Sequence, residues 1–180
     1  MISKPTLALL GLLATVVLLP AHAARTDKDQ PITIEADWAE ADDLRRITVY
    51  KGKVIVVQGT IRITGDVVTM YYSPTRELSK LVATGRPARF RQKQDEGNEY
   101  QRAKGSRIEY LVSTNTMILI NNAELAQGTS KVSADRIVYD TARSRIKAES
   151  KPTAAAKGSG KGKPRKSKGR VRILIEPTKQ

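Results

Sequence analysis

A short alternating segment recurs along this chain and restricts the folds open to it. Ile32-Thr33-Ile34-Glu35-Ala36-Asp37 returns as Ile61-Arg62-Ile63-Thr64-Gly65-Asp66 and, in weaker form, as Ser130-Lys131-Val132-Ser133-Ala134-Asp135. Ala103-Lys104-Gly105-Ser106-Arg107-Ile108 holds an equivalent place between the last two. The anchor positions 37, 66, 106 and 135 lie 29, 40 and 29 residues apart. The longer middle interval contains the polar stretch Arg91 to Glu99, which reads as an extended hairpin loop. A unit of about 30 residues made of short strands cannot bury its apolar face alone, so the copies must stack or fold over one another.

Within and between the repeats the apolar residues alternate with period two. Ile32–Ile34, Val54–Val56, Ile61–Ile63, Ile108–Tyr110, Met117–Ile120 and Ile137–Tyr139 are short, β-branched or aromatic, and separated by Gly52, Gly59, Gly65, Gly85, Gly97, Gly105 and Gly128. No segment sustains the three- and four-residue spacing of an amphipathic helix. The expectation is an all-β fold, two antiparallel sheets of short repeated strands, with a turn between strand rows at each Ala-Asp or Gly-Asp step. There a small residue permits the corner and Asp can cap backbone amides. Folded over one another, the sheets bring Ile32, Ile34, Val54, Val56, Ile61, Ile63, Phe90, Ile108, Tyr110, Leu125 and Ile137 toward one interior. If the sheets close, these residues are a core; if they splay, they line an apolar slot able to take acyl chains.

The N-terminus carries a different signal. Lys4 precedes an apolar run from Leu7 to Leu19, and Ala21-His22-Ala23 supplies a small-x-small cleavage pattern. Residues 1–23 read as a secretory signal peptide, the apolar run being shorter than the roughly 20 residues a spanning helix needs. Cleavage after Ala23 or Ala24 removes His22, the only histidine, and the chain has no cysteine. Ser-His-Asp and Cys-His catalysis and imidazole zinc sites are then unavailable. Export without cysteine suits a periplasm.

Other chemistries are poorly supported. Gly158-Ser159-Gly160-Lys161-Gly162-Lys163 lacks the spacing and context of a phosphate-binding loop and reads as flexible linker. Glu35, Asp37, Glu40, Asp42 and Asp43 cluster in sequence without the spacing of a calcium loop, and acidic residues on a wet strand face explain them. The reading is a non-enzyme with no cofactor and no metal site.

The formal charge of +14 is unevenly placed. Residues 24–150 hold 21 basic and 17 acidic groups, whereas residues 151–180 hold 10 basic and 1 acidic. Residues 151–170 have too little apolar surface to order themselves and read as a flexible basic linker. Residues 171–177, with Val171-Arg172-Ile173-Leu174-Ile175, read as a last strand that either rejoins the sheet or pairs with something else. Lys163, Arg165, Lys166, Lys168 and Arg170 are the candidates for contact with lipid headgroup phosphates or a partner. No aromatics interleave with this run to stack bases, which argues against nucleic acid.

Several segments together carry a family likeness: DQPITIEAD (29–37), VYKGKVIVVQGTIRITGDVV (49–68), LVATGRPARFRQ (81–92), GSRIEYL (105–111), ADRIVYD (134–140) and GRVRILIEP (169–177). In order and spacing they resemble the OstA-like family of LptA-type periplasmic lipopolysaccharide-transport components, continuously over about 30–148 and again in the last strand. The resemblance implies a β-jellyroll opened like a V over residues 24–150, shielding lipid A acyl chains of lipopolysaccharide, with Ile32, Ile34, Phe90 and Tyr110 matching family interior positions. It also implies strand-edge pairing with an inner-membrane-anchored partner of the same fold (LptC-like), with an outer-membrane β-barrel partner (LptD-like), and head to tail with further copies. The basic stretch before the last strand is longer than the family pattern needs. The alternative function is a β-strand adaptor that scaffolds an envelope complex without binding lipid.

Overall fold

A computed structural model describes residues 27–94, 99–150 and 170–175. A 3-10 turn at Asp27–Asp29 leads into ten strands: β1 (Ile32–Glu35), β2 (Trp38–Asp42), β3 (Ile47–Gln58), β4 (Ile61–Tyr72), β5 (Leu78–Lys93), β6 (Tyr100–Leu111), β7 (Thr116–Gln127), β8 (Ser130–Asp140), β9 (Arg145–Glu149) and β10 (Arg172–Leu174). All pair antiparallel in one sheet of order β1-β3-β4-β5-β6-β7-β8-β10, with β2 also on β3 and β9 also on β8. The signal segment 1–23 and the basic residues 151–169 lie outside the described residues.

The expected short strands are halves of longer ones. Strands β3 to β7 run 12 to 16 residues, and each changes register near its middle, the β4–β5 pair shifting again at Tyr71/Tyr72. The mid-strand shifts fall between Lys51 and Val54, Thr64 and Val67, Thr84 and Ala88, Lys104 and Arg107, and Ile120 and Ala123. Lined up across neighbouring strands, these bulges form one corner row, and bulges bend the strands that carry them. On one side lies a first wing: β2, β9 and the halves 47–51, 67–72, 78–84, 107–111, 116–120 and 136–140. On the other lies a second wing: β1, β10 and the halves 54–58, 61–64, 88–93, 100–104, 123–127 and 130–133.

Gly65-Asp66 and Ala134-Asp135 therefore mark mid-strand bends, and Ala36-Asp37 joins β1 to β2; the chain does not reverse at any of them. Hydrogen bonding resumes on both sides of each step, which a break in alternation cannot reveal. Backbone approach explains the small residue at Gly65, where a Cβ would lie 2.7 Å from the Thr84 carbonyl oxygen. Asp66 meets the Arg86 guanidinium at 3.7 Å in an exposed pair. At Asp37 the backbone N–H donates to the carbonyls of Lys51 and Gly52, joining β1 and β2 across the corner.

Chain reversals lie at the wing tips. Gln58-Gly59-Thr60 and Gln127-Gly128-Thr129 make two-residue hairpins in which Gly59 and Gly128 take φ of 58° and 55°, a conformation such turns require. The β5–β6 connection is shorter than the sequence suggests. Arg91–Lys93 belong to β5 and pair with Tyr100–Arg102, so the loop shrinks to residues 94–99. Phe90 and Gln92 keep the alternation that the surrounding charges obscure.

One core joins both wings. Val68, Met70, Leu81, Ile108, Met117, Leu119, Ile137 and Tyr139 of the first wing cluster with Val54, Val56, Ile63, Phe90, Ala103 and Leu125 of the second. The sheet is thus folded on itself, and each buried aliphatic side chain contributes roughly 1.5–3 kcal/mol through burial. The last strand returns to the sheet, Ile173 opposite Val132, at the edge opposite β1.

Candidate functional site: the inner face and its two edges

The inner face of the fold follows from strand alternation. All eleven residues read from the sequence as interior lie on it, but in two environments. Val54, Val56, Ile63, Phe90, Ile108, Leu125 and Ile137 are buried, at most 7% exposed. Ile34, Ile61 and Tyr110 are half-buried against that cluster, and Ile32 at the sheet edge is 41% exposed. Tyr110 sits near a first-wing tip, its hydroxyl 3.3 Å from Asn115 Oδ1. Burial raises its phenol above the ordinary value, outweighing the lowering effect of its hydrogen bond with Thr141.

Val68, Met70, Leu81, Met117, Leu119 and Tyr139 were not anticipated, although they complete the first-wing side of the same face. The run Val67-Val68-Thr69-Met70-Tyr71-Tyr72 is apolar at nearly every position, so its alternation is hidden.

Apart from Leu44 in the β2–β3 turn, the exposed large apolar residues collect at the two free edges. Ile32 and Trp38 lie on β1 and β2; Ile146, Ile173 and Leu174 lie on β9 and β10, and Val171 and Ile175 flank β10. Ile34 shares its face with its partner Val56, and Ile173 shares its face with Val132, so both edges extend the inner face. Trp38 is stacked under the Lys51 ammonium at 4.2 Å.

The edges carry opposite charge. Glu35, Asp37, Glu40, Asp42 and Asp43 sit on or beside β1 and β2, while Arg145, Lys147, Arg170 and Arg172 sit on or beside β9 and β10 with Glu149. Lys147 holds Glu149 at 2.8 Å and keeps its carboxyl below the ordinary value. Of the five basic residues proposed for headgroup or partner contact, Arg170 is exposed at the edge, and Lys163, Arg165, Lys166 and Lys168 lie outside the described residues. Among the described residues no three carboxylates converge on a point that could hold a metal ion.

The outer face of the second wing is basic. Arg62, Arg89, Arg91, Arg102 and Lys104 surround a concavity of about 340 Å3. Glu124 is the acidic residue in its lining, ion-paired with Lys104 at 3.2 Å and with Lys131 at 2.8 Å. Burial works to raise the Glu124 carboxyl, but the two lysines outweigh it and hold the group below its ordinary value.

Comparison with known proteins places this geometry. Residues 33–145 match the family model described as LptA/(LptD N-terminal domain) LPS transport protein. The lipopolysaccharide export system protein LptH of Pseudomonas aeruginosa is 35% identical over 138 residues, 77% of this chain and 79% of that protein. The lipopolysaccharide export system protein LptA of Escherichia coli K12 is 36% identical over 134 residues, 73% and 71% respectively. The crystal structure of LptH, titled the LptA homologous periplasmic component of a conserved lipopolysaccharide transport device, superposes with a TM-score of 0.70 at 33% identity, covering 85% of this chain and all of that one. An open antiparallel jellyroll with a shared inner face and this extent of similarity make the chain a member of the LptA family of periplasmic, non-enzymatic lipopolysaccharide transport proteins.

Proposed function

We propose that this family member carries lipopolysaccharide by laying the acyl chains of lipid A against the inner face of the folded sheet. The observation that supports it best is the continuity of that face, which runs from β1 to β10 and ends at each edge on an exposed isoleucine, Ile32 at 41% and Ile173 at 64%. A purely structural core has no need to extend its apolar face to both open edges. Acyl chains enter at the edges and wing tips, where Ile32, Ile34, Ile61 and Tyr110 are incompletely covered, and reach Phe90 as the wings part. Residues 1–23 act as the export signal. The jellyroll occupies 24–150, and the linker 151–170 ties it to the last strand, with Lys163, Arg165, Lys166, Lys168 and Arg170 meeting headgroup phosphates or a partner.

The two edges provide the assembly surfaces. Unpaired strand edges invite addition of further strands, and pairing of unlike edges builds an open filament. An acidic β1/β2 edge facing a basic β9/β10 edge favours head-to-tail contact between copies. The same edges suit an LptC-like partner at the inner membrane and an LptD-like partner at the outer membrane.

Photo-crosslinking residues placed at Ile34 and Phe90 in cells test the reading. Capture of lipopolysaccharide at both, with surface controls silent, is the expected result. The dense packing at Ile108 and Ile137, 1% and 0% exposed, favours the second reading, a strand adaptor that scaffolds the envelope complex without touching lipid. Normal assembly with no lipid captured at either position would establish that reading instead.

A further inference from the structure

We infer that the outer face of the second wing is a binding site for phosphate esters carried on a sugar, separate from the inner face. The evidence begins with strand register. Arg62 lies directly opposite Arg91, Arg91 opposite Arg102, and Arg89 opposite Lys104, so three like-charged pairs face one another across adjacent strands. Like charges in that relation oppose folding. Among the described residues, neither Arg62, Arg89, Arg91 nor Arg102 has a carboxylate partner; Glu124 serves Lys104 and Lys131. Among the described residues, folding places the four arginines together with no carboxylate paired to them, which is how a protein presents an anion site.

The geometry narrows the anion. Directly opposed residues stand about 5 Å apart and alternate residues on one strand about 6.5–7 Å apart. Arg89, Arg91, Arg102 and Lys104 therefore mark the corners of a quadrilateral that one or two phosphate groups can span. Four of the five cations around the concavity are arginines, whose planar forks engage two phosphate oxygens at once. Tyr100 stands beside Arg91 and Arg102, with ring centroid to guanidinium carbon distances of 5.4 and 6.0 Å, and limits the directions those forks can take. The concavity of about 340 Å3 is large enough to admit a phosphorylated sugar. Thr64 on its wall offers a hydroxyl for sugar hydroxyls. Such a group can arrive on a glycolipid headgroup or free in solution; the chemistry recognised is the same. The inference does not rest on acyl-chain binding, because these side chains occupy the opposite face from Ile63, Phe90, Ala103 and Leu125.

The test uses the full chain, without its signal segment, titrated with glucose 1,6-bisphosphate at low ionic strength and followed by amide chemical shifts. Glucose, inorganic phosphate and phosphatidylglycerol vesicles are titrated in parallel. The bisphosphate should perturb Arg89–Arg91 and Arg102–Lys104, glucose should not, and Arg91→Gln/Arg102→Gln should weaken binding roughly tenfold or more. That double variant should also melt at the same or a higher temperature, since it relieves like-charge pairs. Arg45→Gln/Arg76→Gln, which removes the same charge from first-wing turns, should leave binding intact. Glu124→Gln should tighten it by releasing Lys104 and Lys131, which keeps the test decisive if the double variant does not fold. Equal weakening by both double variants would overturn the site in favour of general charge attraction. Inorganic phosphate binding as tightly as the bisphosphate would overturn the sugar ester, and binding to vesicles alone would replace it with a membrane surface.

Discussion

Asp27 holds Thr60 with both carboxylate oxygens: Oδ1 accepts the Thr60 backbone N–H at 2.6 Å and Oδ2 accepts its hydroxyl at 2.8 Å. Oδ2 also accepts Gln92 Nε2 at 2.9 Å, so a residue from the 3-10 turn ties together the β3–β4 hairpin and β5 at the tip of the second wing. Asp27→Ala should lower stability by about 1–2 kcal/mol, the size expected for losing charged hydrogen bonds at an exposed site. Urea denaturation measures this; a midpoint unchanged from the parent would mean that the tip is held by the hairpin alone.

Gly65 has no room for a side chain, because the Thr84 carbonyl oxygen lies where a Cβ would reach. Gly65→Val should cost about 1–3 kcal/mol through overpacking at the corner. Gly59→Ala at a wing tip is a local contrast: it strains a φ of 58° and crowds the Asp27 carboxylate there, without disturbing the corner. Hydrogen exchange should then show lost protection in both wings for the Gly65 variant but only around the β3–β4 hairpin for the Gly59 variant.

Acid should weaken the second wing through Glu124. Its folded-state carboxyl sits below the ordinary value, since Lys131 and Lys104 outweigh burial. A depressed carboxylate contributes stability that is fully present above its unfolded value and is lost as pH falls through the folded value. The stability difference between parent and Glu124→Gln should therefore be constant near neutral pH and shrink on acidification. A difference that stays the same down the whole acid limb of a pH series of melting curves would refute the assignment.

End-to-end association should respond to salt and to edge charge. Complementary exposed charges are screened within about 3 Å at 1 M ionic strength, so light scattering should report shorter assemblies in high salt. Arg145→Glu/Lys147→Glu should shorten them at low salt as well. Truncation after Ser150 removes β10 and with it the basic strand of the second-wing edge; unchanged oligomer size would contradict the role of that edge.

How much of this was visible in the chain depends on what each residue type reports. Ile32, Ile34, Ile61 and Ile63 announce their strands and their face because Thr33 and Arg62 stand between them. Val67 to Tyr72 gives no such contrast, and Val68 and Met70 of the first-wing inner face were missed for that reason. Arg91–Lys93 read as loop because charge on an outer face looks the same in sequence as charge in solvent. The Gly-Asp and Ala-Asp anchors read as turns between strand rows and are corners at which continuous ladders bend, since a bulge and a turn interrupt alternation in the same way. The basic concavity could not be seen at all: Arg62, Arg91 and Arg102 meet only through strand register.

Six strands, β3 to β8, pass through the corner row without interruption, and each is hydrogen-bonded to its neighbours on both sides of it. No strand can change its bend alone without breaking the ladders that flank it. The angle between the wings is thus a single shared coordinate, like the crease of a folded card, and a guest that pries the wings apart at one edge spreads them at the other. In the edge-to-edge assembly we propose, the same ladders would hand the opening of one unit to the next.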